Sequence, residues 1–346
     1  MLHKTKPFRL GVVGYGNLGK ATVRLLAQKL ESWRIDGFNL TLTCVLDING
    51  GLANADGLDC KALAAHGGAG LDSFPGFDAR LNFKEMMDKR LVDVIAEYTP
   101  TDKETGEPGL SHIRDALKRG IHVTTSNKGP ILTAWGELSQ LARERGLLLG
   151  VGCTTGGALP SIIAGRDAMA GADISTIEGI LNGTTNYILN RMENGLSYKE
   201  ALKEAQAAGI AETDPSMDVE GWDTAVKLVI LVKVVMDGKI DLKDVPVKGI
   251  TGLTPEEVKT ELAAGRRIKL IGKAWREGGE IRASVTPESV EAAHPFYSVS
   301  AKDKCVRYVS DTLGDLFVSG GASGTIPAAA SALRDVLLAW RNGMFN

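Results

Sequence analysis

Three glycines near the start of the chain constrain the fold more than any other feature. Gly14, Gly16 and Gly19 form a Gly-x-Gly-x-x-Gly pattern in GVVGYGNLG, directly after the apolar run FRLGVV and before a helical pattern. In such a strand–turn–helix unit the first glycine permits a tight turn and the second lets the backbone approach a pyrophosphate. The third lets the helix pack closely on the strand. The pattern predicts a dinucleotide site, and a glycine-rich turn without a ligand is the alternative.

The segments around this loop alternate between predicted strands and predicted helices. Helical periodicity marks NLGKATVRLLAQKL, SHIRDALKRG and residues 136–145. Apolar, strand-like runs stand at 8–13, 41–47, 92–100, 121–127 and 146–152. Strands that alternate with helices at this spacing indicate parallel βαβ units. We therefore predict an α/β domain with a Rossmann-type doubly wound parallel sheet, formed by residues 1–150 with 322–346.

The pattern changes over residues 151–321, where strands have fewer helices between them. ISTIEGILNGTTNYI predicts a strand, a polar turn and the start of a helix. Ser197 and Glu200 form a capping box that opens a helix ended by Gly209. A longer helix is predicted over Asp218–Met236, and later strands by RRIKLIGKAW, GEIRASVTP and KCVRYVS. These elements predict a second domain of the α+β class.

Asp47 ends the predicted strand TLTCVLD and bears on the choice of cofactor. Its carboxylate can accept hydrogen bonds from ribose hydroxyls and would repel a 2′-phosphate. The next four residues, INGG, contain no Arg or Lys to bind that phosphate. This favours NAD over NADP, and a turn residue at the end of a strand is the alternative. Asn17 and Leu18, at the start of the helix, would offer free N–H groups to the phosphates.

Composition excludes several other classes of protein. A net charge of −2 over 346 residues gives no sign of a nucleic-acid footprint. No apolar segment reaches the roughly 20 residues of a membrane span, and the N-terminus lacks the apolar core of a signal peptide. The four cysteines are scattered without a CxxC pair, so neither a zinc site nor a disulfide framework is indicated. A cytoplasmic protein with a small-molecule substrate is expected.

The residues that suggest chemistry lie mainly between 178 and 227. Glu220, Asp223 and Lys227 are spaced to share one face of the predicted long helix, which continues into VKLVILVKVV. A solvated, salt-bridged face is the ordinary meaning of such a pattern. Because this helix is strongly apolar, a lysine near its start can instead be drawn beside carboxylates in a pocket, where it suits proton transfer. Lys128 is a second candidate, since it follows a strand at the carboxyl edge of the sheet, where ligands collect; an ordinary surface lysine is the alternative.

Several separated segments together resemble the homoserine dehydrogenase family. They are GVVGYGNLG, EYTPT, HVTTSNKGP, TTGGALP, EGILNGTTNYI, GIAETDP with GWDTAVK, HPF and the late GGASG, and they cover nearly the whole chain. The family joins a Rossmann domain to an α+β domain that binds substrate and dimerises. The resemblance implies a homodimer that interconverts L-homoserine and L-aspartate 4-semialdehyde with NAD or NADP, in threonine, methionine and isoleucine biosynthesis.

The resemblance also implies roles for individual residues. Lys227 would handle the proton of the substrate hydroxyl, with Asp223 beside it and Lys128 near both cofactor and substrate. Glu212 would bind the α-amino group of the substrate. Further contacts are implied at the matching motif positions, which are Gly183, Thr184, Asp218 and Tyr187 for the substrate and Thr99 and Gly324 for the cofactor.

The chain also departs from the family pattern. Many members have a glutamate where this chain has Gly152, in a segment whose carbonyls hold sodium. A sodium ion held by the carbonyls of Gly152, Thr155, Gly157 and Leu159 is therefore an expectation that the changed residue weakens. The chain stops soon after the closing helix, so the C-terminal regulatory domain of threonine-inhibited members is expected to be absent. This function has two alternatives. One is a related dehydrogenase acting on another amino-acid substrate, and the other is a catalytically silent dinucleotide sensor.

Overall fold

Apolar runs in the first part of the chain form a six-stranded sheet. A computed structural model describes residues 7–66 and 70–345, without the side chain of Ile35. The strands are β1 (Phe8–Val13), β2 (Leu40–Asp47), β3 (Gly50–Ala53), β4 (Val94–Glu97), β5 (His122–Thr125) and β6 (Leu149–Gly150). Their order is β3-β2-β1-β4-β5-β6, and all neighbours are parallel except β2 and β3. This is the predicted doubly wound sheet, with an antiparallel strand at one edge.

Helices cover both faces of this sheet because its strands are apolar on both sides. They are α1 (Asn17–Ile35), α2 (Cys60–Ala65), α3 (Phe83–Asp88), α4 (Gly109–Lys118) and α5 (Lys128–Glu144), together with the C-terminal helix Thr325–Arg341. The C-terminal helix packs on α1, and the rings of Phe38 and Trp340 lie 5.0 Å apart. Two compact units result: Met1–Thr154 with Gly324–Asn346 form one, and Thr155–Ser323 form the other.

The second unit is built on a five-stranded antiparallel sheet. Its strands are β7 (Ile174–Ile180), β8 (Arg266–Glu277), β9 (Glu280–Glu291), β10 (Cys305–Ser310) and β11 (Asp315–Ser319), in the order β11-β10-β7-β8-β9. The helices that precede or pack on it are α6 (Cys153–Gly156), α7 (Ser161–Ile163), α8 (Gly183–Glu193), α9 (Tyr198–Ala207), α10 (Ser216–Val219), α11 (Trp222–Val235) and α12 (Pro255–Ala263). The C-terminal helix is α13. The predicted α+β character of this part is confirmed.

The predicted helix Asp218–Met236 is two helices. Gly221 adopts the left-handed conformation (φ 92°) and separates α10 from α11. Glu220 therefore lies at the end of α10, and the expected common face of Glu220, Asp223 and Lys227 on one helix is wrong. Asp223 and Lys227 remain together on the first turns of α11. A single glycine inside a helical pattern breaks the helix here because the backbone turns between two packed segments.

Other differences concern helix starts and short strands. Helix α5 starts at Lys128 rather than at 136, since the Asn127 side chain accepts a hydrogen bond from the Gly129 N–H and caps the helix. Strands β3 and β11 follow tight turns and are short, so the apolar periodicity gave no signal for them.

All four cysteines are buried, and burial raises the pKa of Cys44, Cys60 and Cys305 to about 12. Among the described residues, no helix has the length and apolarity to cross a bilayer.

Candidate active site

The outer glycines of the Gly-x-Gly-x-x-Gly loop are required by the protein's own packing. Gly14 has φ 104°, and a Cβ there would lie 2.7 Å from the backbone of Tyr98. A Cβ on Gly19 would lie 2.3 Å from the carbonyl oxygen of Gly14. The Gly14 N–H donates to the Leu46 carbonyl, which fixes the turn between β1 and α1. These glycines therefore set the turn and the close approach of helix to strand.

Gly16 is different, because no protein packing requires it. Its φ of −78° is open to any L-residue, and a Cβ on it would meet nothing within 4 Å. Gly16 and Asn17 are exposed and Leu18 is half-buried, so the first N–H groups of α1 face open space. No steric constraint inside the protein explains the glycine at this position. A glycine here would allow a ligand to approach the backbone closely. The loop thus fits a pyrophosphate at a helix N-terminus.

Asp47 stands at the carboxyl end of β2, directly before the turn into β3. Asp47 is half-buried. Its Oδ1 accepts a hydrogen bond from the Asn49 N–H at 2.8 Å, which fixes the orientation of the carboxylate. The Ile48 side chain is 99% exposed, which is unusual for a large aliphatic group. Apart from its position after Asp47, no sequence pattern pointed to Ile48.

A buried carboxylate organises the carboxyl ends of β4 and β5. Glu97 is fully buried and accepts hydrogen bonds from the N–H and the hydroxyl of Thr99. Thr125 donates its hydroxyl to the Glu97 carbonyl oxygen at 2.9 Å. Asn127, which is 1% exposed, donates to the Thr99 carbonyl at 3.2 Å and caps the helix that begins with Lys128. Thr99 and Lys128 are thereby held at this edge of the sheet.

In the second unit, Lys227 is joined to Asp223 one helical turn away. Lys227 Nζ lies 2.5 Å from Asp223 Oδ2 and donates to the Leu181 carbonyl oxygen at 2.9 Å. The two side chains are only 15% and 20% exposed, so the pair is partly desolvated. A lysine carries three N–H donors. Within the described residues, these two contacts leave one donor of Lys227 for another oxygen.

Asn182 connects this pair to Asp218. Its amide Nδ2 donates to Asp218 Oδ1 at 2.7 Å and to Asp223 Oδ2 at 2.8 Å, and the side chain is almost fully buried. Its Oδ1 accepts the N–H of Thr185 and caps α8. Sequence reasoning missed Asn182, although it lies inside the quoted LNGTTN segment. A polar residue between a buried strand and a helix start was the available signal.

The remaining predicted substrate residues lie around this cluster or on neighbouring surfaces. Gly183 begins α8 directly after Asn182, and the Thr184 hydroxyl donates to the Ile210 carbonyl at 3.1 Å. Glu212 follows in the same loop as Ile210, with an exposed side chain. Tyr187 points to the contact between α8 and α9, where its hydroxyl donates to Glu204 at 2.7 Å. That hydrogen bond raises the pKa of Tyr187.

Gly324 and the segment expected to hold sodium complete the predicted positions. Gly324, with φ 118°, is the residue before the first turn of α13. The Gly152 N–H donates to the Asp335 carboxylate, and a Cβ on Gly152 would lie 2.6 Å from Asp335 Oδ1. Any side chain at this position would therefore have to displace the Asp335 carboxylate. The Leu159 carbonyl, another expected sodium ligand, accepts the Ser161 N–H at 2.8 Å.

The sequence and the fold match one family of enzymes. The family model described as homoserine dehydrogenase matches residues 160–337. A protein named NAD(+)-dependent homoserine dehydrogenase, from Pseudomonas canavaninivorans, is 38% identical over 336 residues, which are 95% of this chain and 95% of that protein. This chain belongs to the homoserine dehydrogenase family.

Other homoserine dehydrogenases are similar over comparable lengths. That of Methanocaldococcus jannaschii is 36% identical over 94% of this chain and 96% of its own length. The crystal structure of a homoserine dehydrogenase from Thiobacillus denitrificans has a TM-score of 0.81 at 27% identity, covering 98% of this chain and 75% of that chain. The range matched by the family model includes Asn182, Asp218, Asp223 and Lys227. The family model thus covers most of the second unit and part of α13.

Proposed function

We propose that this chain is a homoserine dehydrogenase that interconverts L-homoserine and L-aspartate 4-semialdehyde with a nicotinamide dinucleotide. The observation that carries the proposal is the partly buried Lys227, held by Asp223 and Leu181 with one N–H donor left over. A dehydrogenase of this kind needs a proton donor and acceptor at the substrate oxygen. A bound nicotinamide supplies or removes the hydride.

Lys227 moves the proton in this scheme. When the aldehyde is reduced, negative charge grows on its oxygen, and the ammonium stabilises that charge before it delivers a proton. In the reverse direction the neutral amine takes the hydroxyl proton as the hydride leaves the carbon. Asp223 keeps Nζ in position, and Asn182 fixes Asp223 through a hydrogen bond at 2.8 Å. The substrate oxygen therefore meets a donor whose other contacts are already made.

Charge complementarity supports a position for the rest of the substrate. Its ammonium group suits the exposed Glu212 carboxylate and Asp218, and its carboxylate suits the N–H groups at the start of α8, at Gly183 and Thr184. We assign Tyr187 to the border of this site, because its hydroxyl is engaged by Glu204. Another amino-acid aldehyde with the same two charged groups is the second candidate substrate.

The first unit is proposed to hold the cofactor. Gly14, Gly16, Asn17, Leu18 and Gly19 would surround the pyrophosphate. Toward the nicotinamide we place Thr99 and Lys128, with Gly324 as a late contact. Asp47 beside the exposed Ile48 would receive the adenosine ribose, and this favours NAD over NADP. The relative from Pseudomonas, whose name specifies NAD(+), agrees with that preference.

We also propose a homodimer formed through the second unit. Its sheet packs α11 on one face, where a Cβ on Gly272 would lie 3.0 Å from Thr224. The other face carries a groove of about 690 Å³, in which the 37%-exposed Phe317 lies beside charged side chains such as Glu288 and Arg307. A second copy covering this groove would bury the exposed Phe317 ring. Sedimentation at micromolar concentration is expected to give twice the chain mass, and a monomer at all concentrations would contradict this assembly.

The activity is tested by homoserine-dependent reduction of NAD and of NADP, measured side by side. Activity with neither cofactor would refute the proposed function, and a strong preference for NADP would refute the role of Asp47. Lys227→Ala is expected to lower turnover by about 10²–10⁴-fold while cofactor affinity persists. Lys203→Ala, on the exposed side of α9, is the matched control. Cofactor binding without turnover in the wild type would identify a silent sensor.

A further inference from the structure

A buried lysine reaches the loop in which family members hold sodium. Lys304 directly precedes β10 and is only 8% exposed. Its Nζ donates to the carbonyl oxygen of Gly156 at 2.9 Å. A Cβ on Gly157 would lie 3.8 Å from the same Nζ, so the ammonium stands directly beside the glycine pair. The positive charge is therefore inside the loop formed by Thr155–Leu159.

Two backbone carbonyls of this loop, those of Gly156 and Leu159, already accept hydrogen bonds from the protein. The Gly156 carbonyl also accepts the Leu159 N–H at 3.2 Å, which with Lys304 uses both of its lone pairs. The Leu159 carbonyl accepts the Ser161 N–H at 2.8 Å. A Cβ on Gly321 would lie 2.4 Å from Leu159 N, so a second segment packs tightly on the loop. A sodium ion would have to join this arrangement against a buried like charge.

Lys304 is itself held firmly at this position. Its carbonyl oxygen accepts the Gly320 N–H at 3.0 Å, which ties the start of β10 to the end of β11. A buried ammonium requires oxygen partners to offset its desolvation. A backbone carbonyl oxygen, here that of Gly156, is a ligand both for an ammonium and for an alkali cation, and the two cations carry the same charge. Such a site holds either the ammonium or an alkali cation, but not both.

We propose that the Lys304 ammonium takes the place of the monovalent cation in the Thr155–Leu159 loop, so that this protein neither binds nor requires sodium there. The residues thus do not fit the sodium ion that the family resemblance implies. The lysine makes the positive charge a permanent part of the chain, because the tethered ammonium cannot dissociate into solution. The proposal concerns the loop alone and does not depend on the substrate.

The test compares thermal unfolding of the full chain in NaCl, KCl and choline chloride at equal ionic strength. For the wild type we expect melting temperatures in the three salts to agree within about 1 °C, because a cation without a site gives no binding linkage. Lys304→Met removes the charge and leaves the Gly156 carbonyl without its cationic partner. Its melting temperature is expected to be lower, and NaCl is expected to raise it above the choline value by about 2–4 °C. Lys302→Met, at the exposed neighbouring lysine, is expected to behave like the wild type.

Sodium-23 relaxation gives a readout that needs neither activity nor a melting transition. Saturable line broadening by the wild type would overturn the proposal, and so would a sodium-specific rise of its melting temperature. If Lys304→Met does not fold, Lys304→Gln replaces it, since the amide keeps a hydrogen-bond donor without the charge. A folded Lys304 variant that is destabilised equally in all three salts would also overturn the shared site. None of these outcomes depends on whether the protein oxidises homoserine.

Discussion

Gly16→Ala separates ligand binding from folding more sharply than any other change in the glycine loop. The added methyl group meets nothing within 4 Å in the protein, and the backbone angles (φ −78°, ψ −158°) suit alanine. It would nevertheless project from the loop at the start of α1, into the space proposed for the pyrophosphate. We therefore expect the fold to tolerate the change and the affinity for the cofactor to fall.

Two opposing effects keep the stability near that of the wild type. Replacing glycine at compatible backbone angles stabilises by about 0.4–1 kcal/mol through the unfolded chain. Alanine is a poorer N-cap than glycine, which costs roughly 0.5–1 kcal/mol. The net change in the free energy of unfolding is about zero, within roughly 0.5 kcal/mol. The loss of one hydrogen bond to a charged phosphate is worth about 1.5–3 kcal/mol, which is a roughly 10- to 150-fold weaker Kd.

Urea unfolding and a fluorescence titration with NADH measure the two quantities separately. Gly136→Ala is the matched control, because it is an exposed helix position in α5 where a Cβ also meets nothing. It is expected to gain about 1 kcal/mol of stability and to bind NADH normally. Gly19→Ala, whose Cβ would lie 2.3 Å from the Gly14 carbonyl oxygen, is expected to lose both stability and affinity. Normal NADH affinity in folded Gly16→Ala would refute the assignment of this loop to the pyrophosphate.

Three further predictions concern buried polar groups. Asn182→Ser keeps a helix-capping oxygen but cannot reach both aspartates, so unfolding free energy should stay within about 1 kcal/mol while kcat falls roughly 10- to 100-fold; unchanged kcat would contradict the positioning role. Glu97→Gln keeps one oxygen for Thr99 but puts an NH2 donor where Oε2 accepts the Thr125 hydroxyl at 3.3 Å, and chemical unfolding should show a loss of about 1–3 kcal/mol that exposed Glu104→Gln lacks. Burial lowers the pKa of His122 to about 4. Because its unfolded pKa is higher, at about 6.5, the unfolded state binds the proton first and stability is lost as pH falls from about 6.5 to 4. The loss is about 3 kcal/mol before its partial exposure is allowed for, hence about 1–2 kcal/mol. An unfolding-versus-pH curve that His122→Gln leaves unchanged would contradict this.

The helices and strands of the first unit were largely predictable because local patterns specify them. Strands buried on both faces are continuous apolar runs, and the helices between them show a clear period. The Gly14–Gly19 loop was predictable for the same reason, since its glycines serve a local turn and a local contact. Helix α5 shows the limit, because its start at Lys128 depends on the cap at Asn127 and not on apolar periodicity.

The candidate site in the second unit depended on contacts between distant residues. Sequence spacing alone placed Glu220 with Asp223 and Lys227, but Gly221 turns the backbone and removes Glu220 from that helix. Asn182 reaches Asp223 across 41 residues, which periodicity does not report.

The sequence by itself determined the α/β and α+β classes, the glycine loop and the Asp223–Lys227 pair, since each follows from neighbours within a few residues. Only the tertiary structure decided which oxygen each buried polar group meets. Asn182 between two aspartates and Lys304 at the Gly156 carbonyl are examples, and the contact of Lys304 joins positions 148 residues apart. Burial makes such pairings obligatory, because a desolvated polar group must find a partner. The chain order does not reveal which partner the fold supplies.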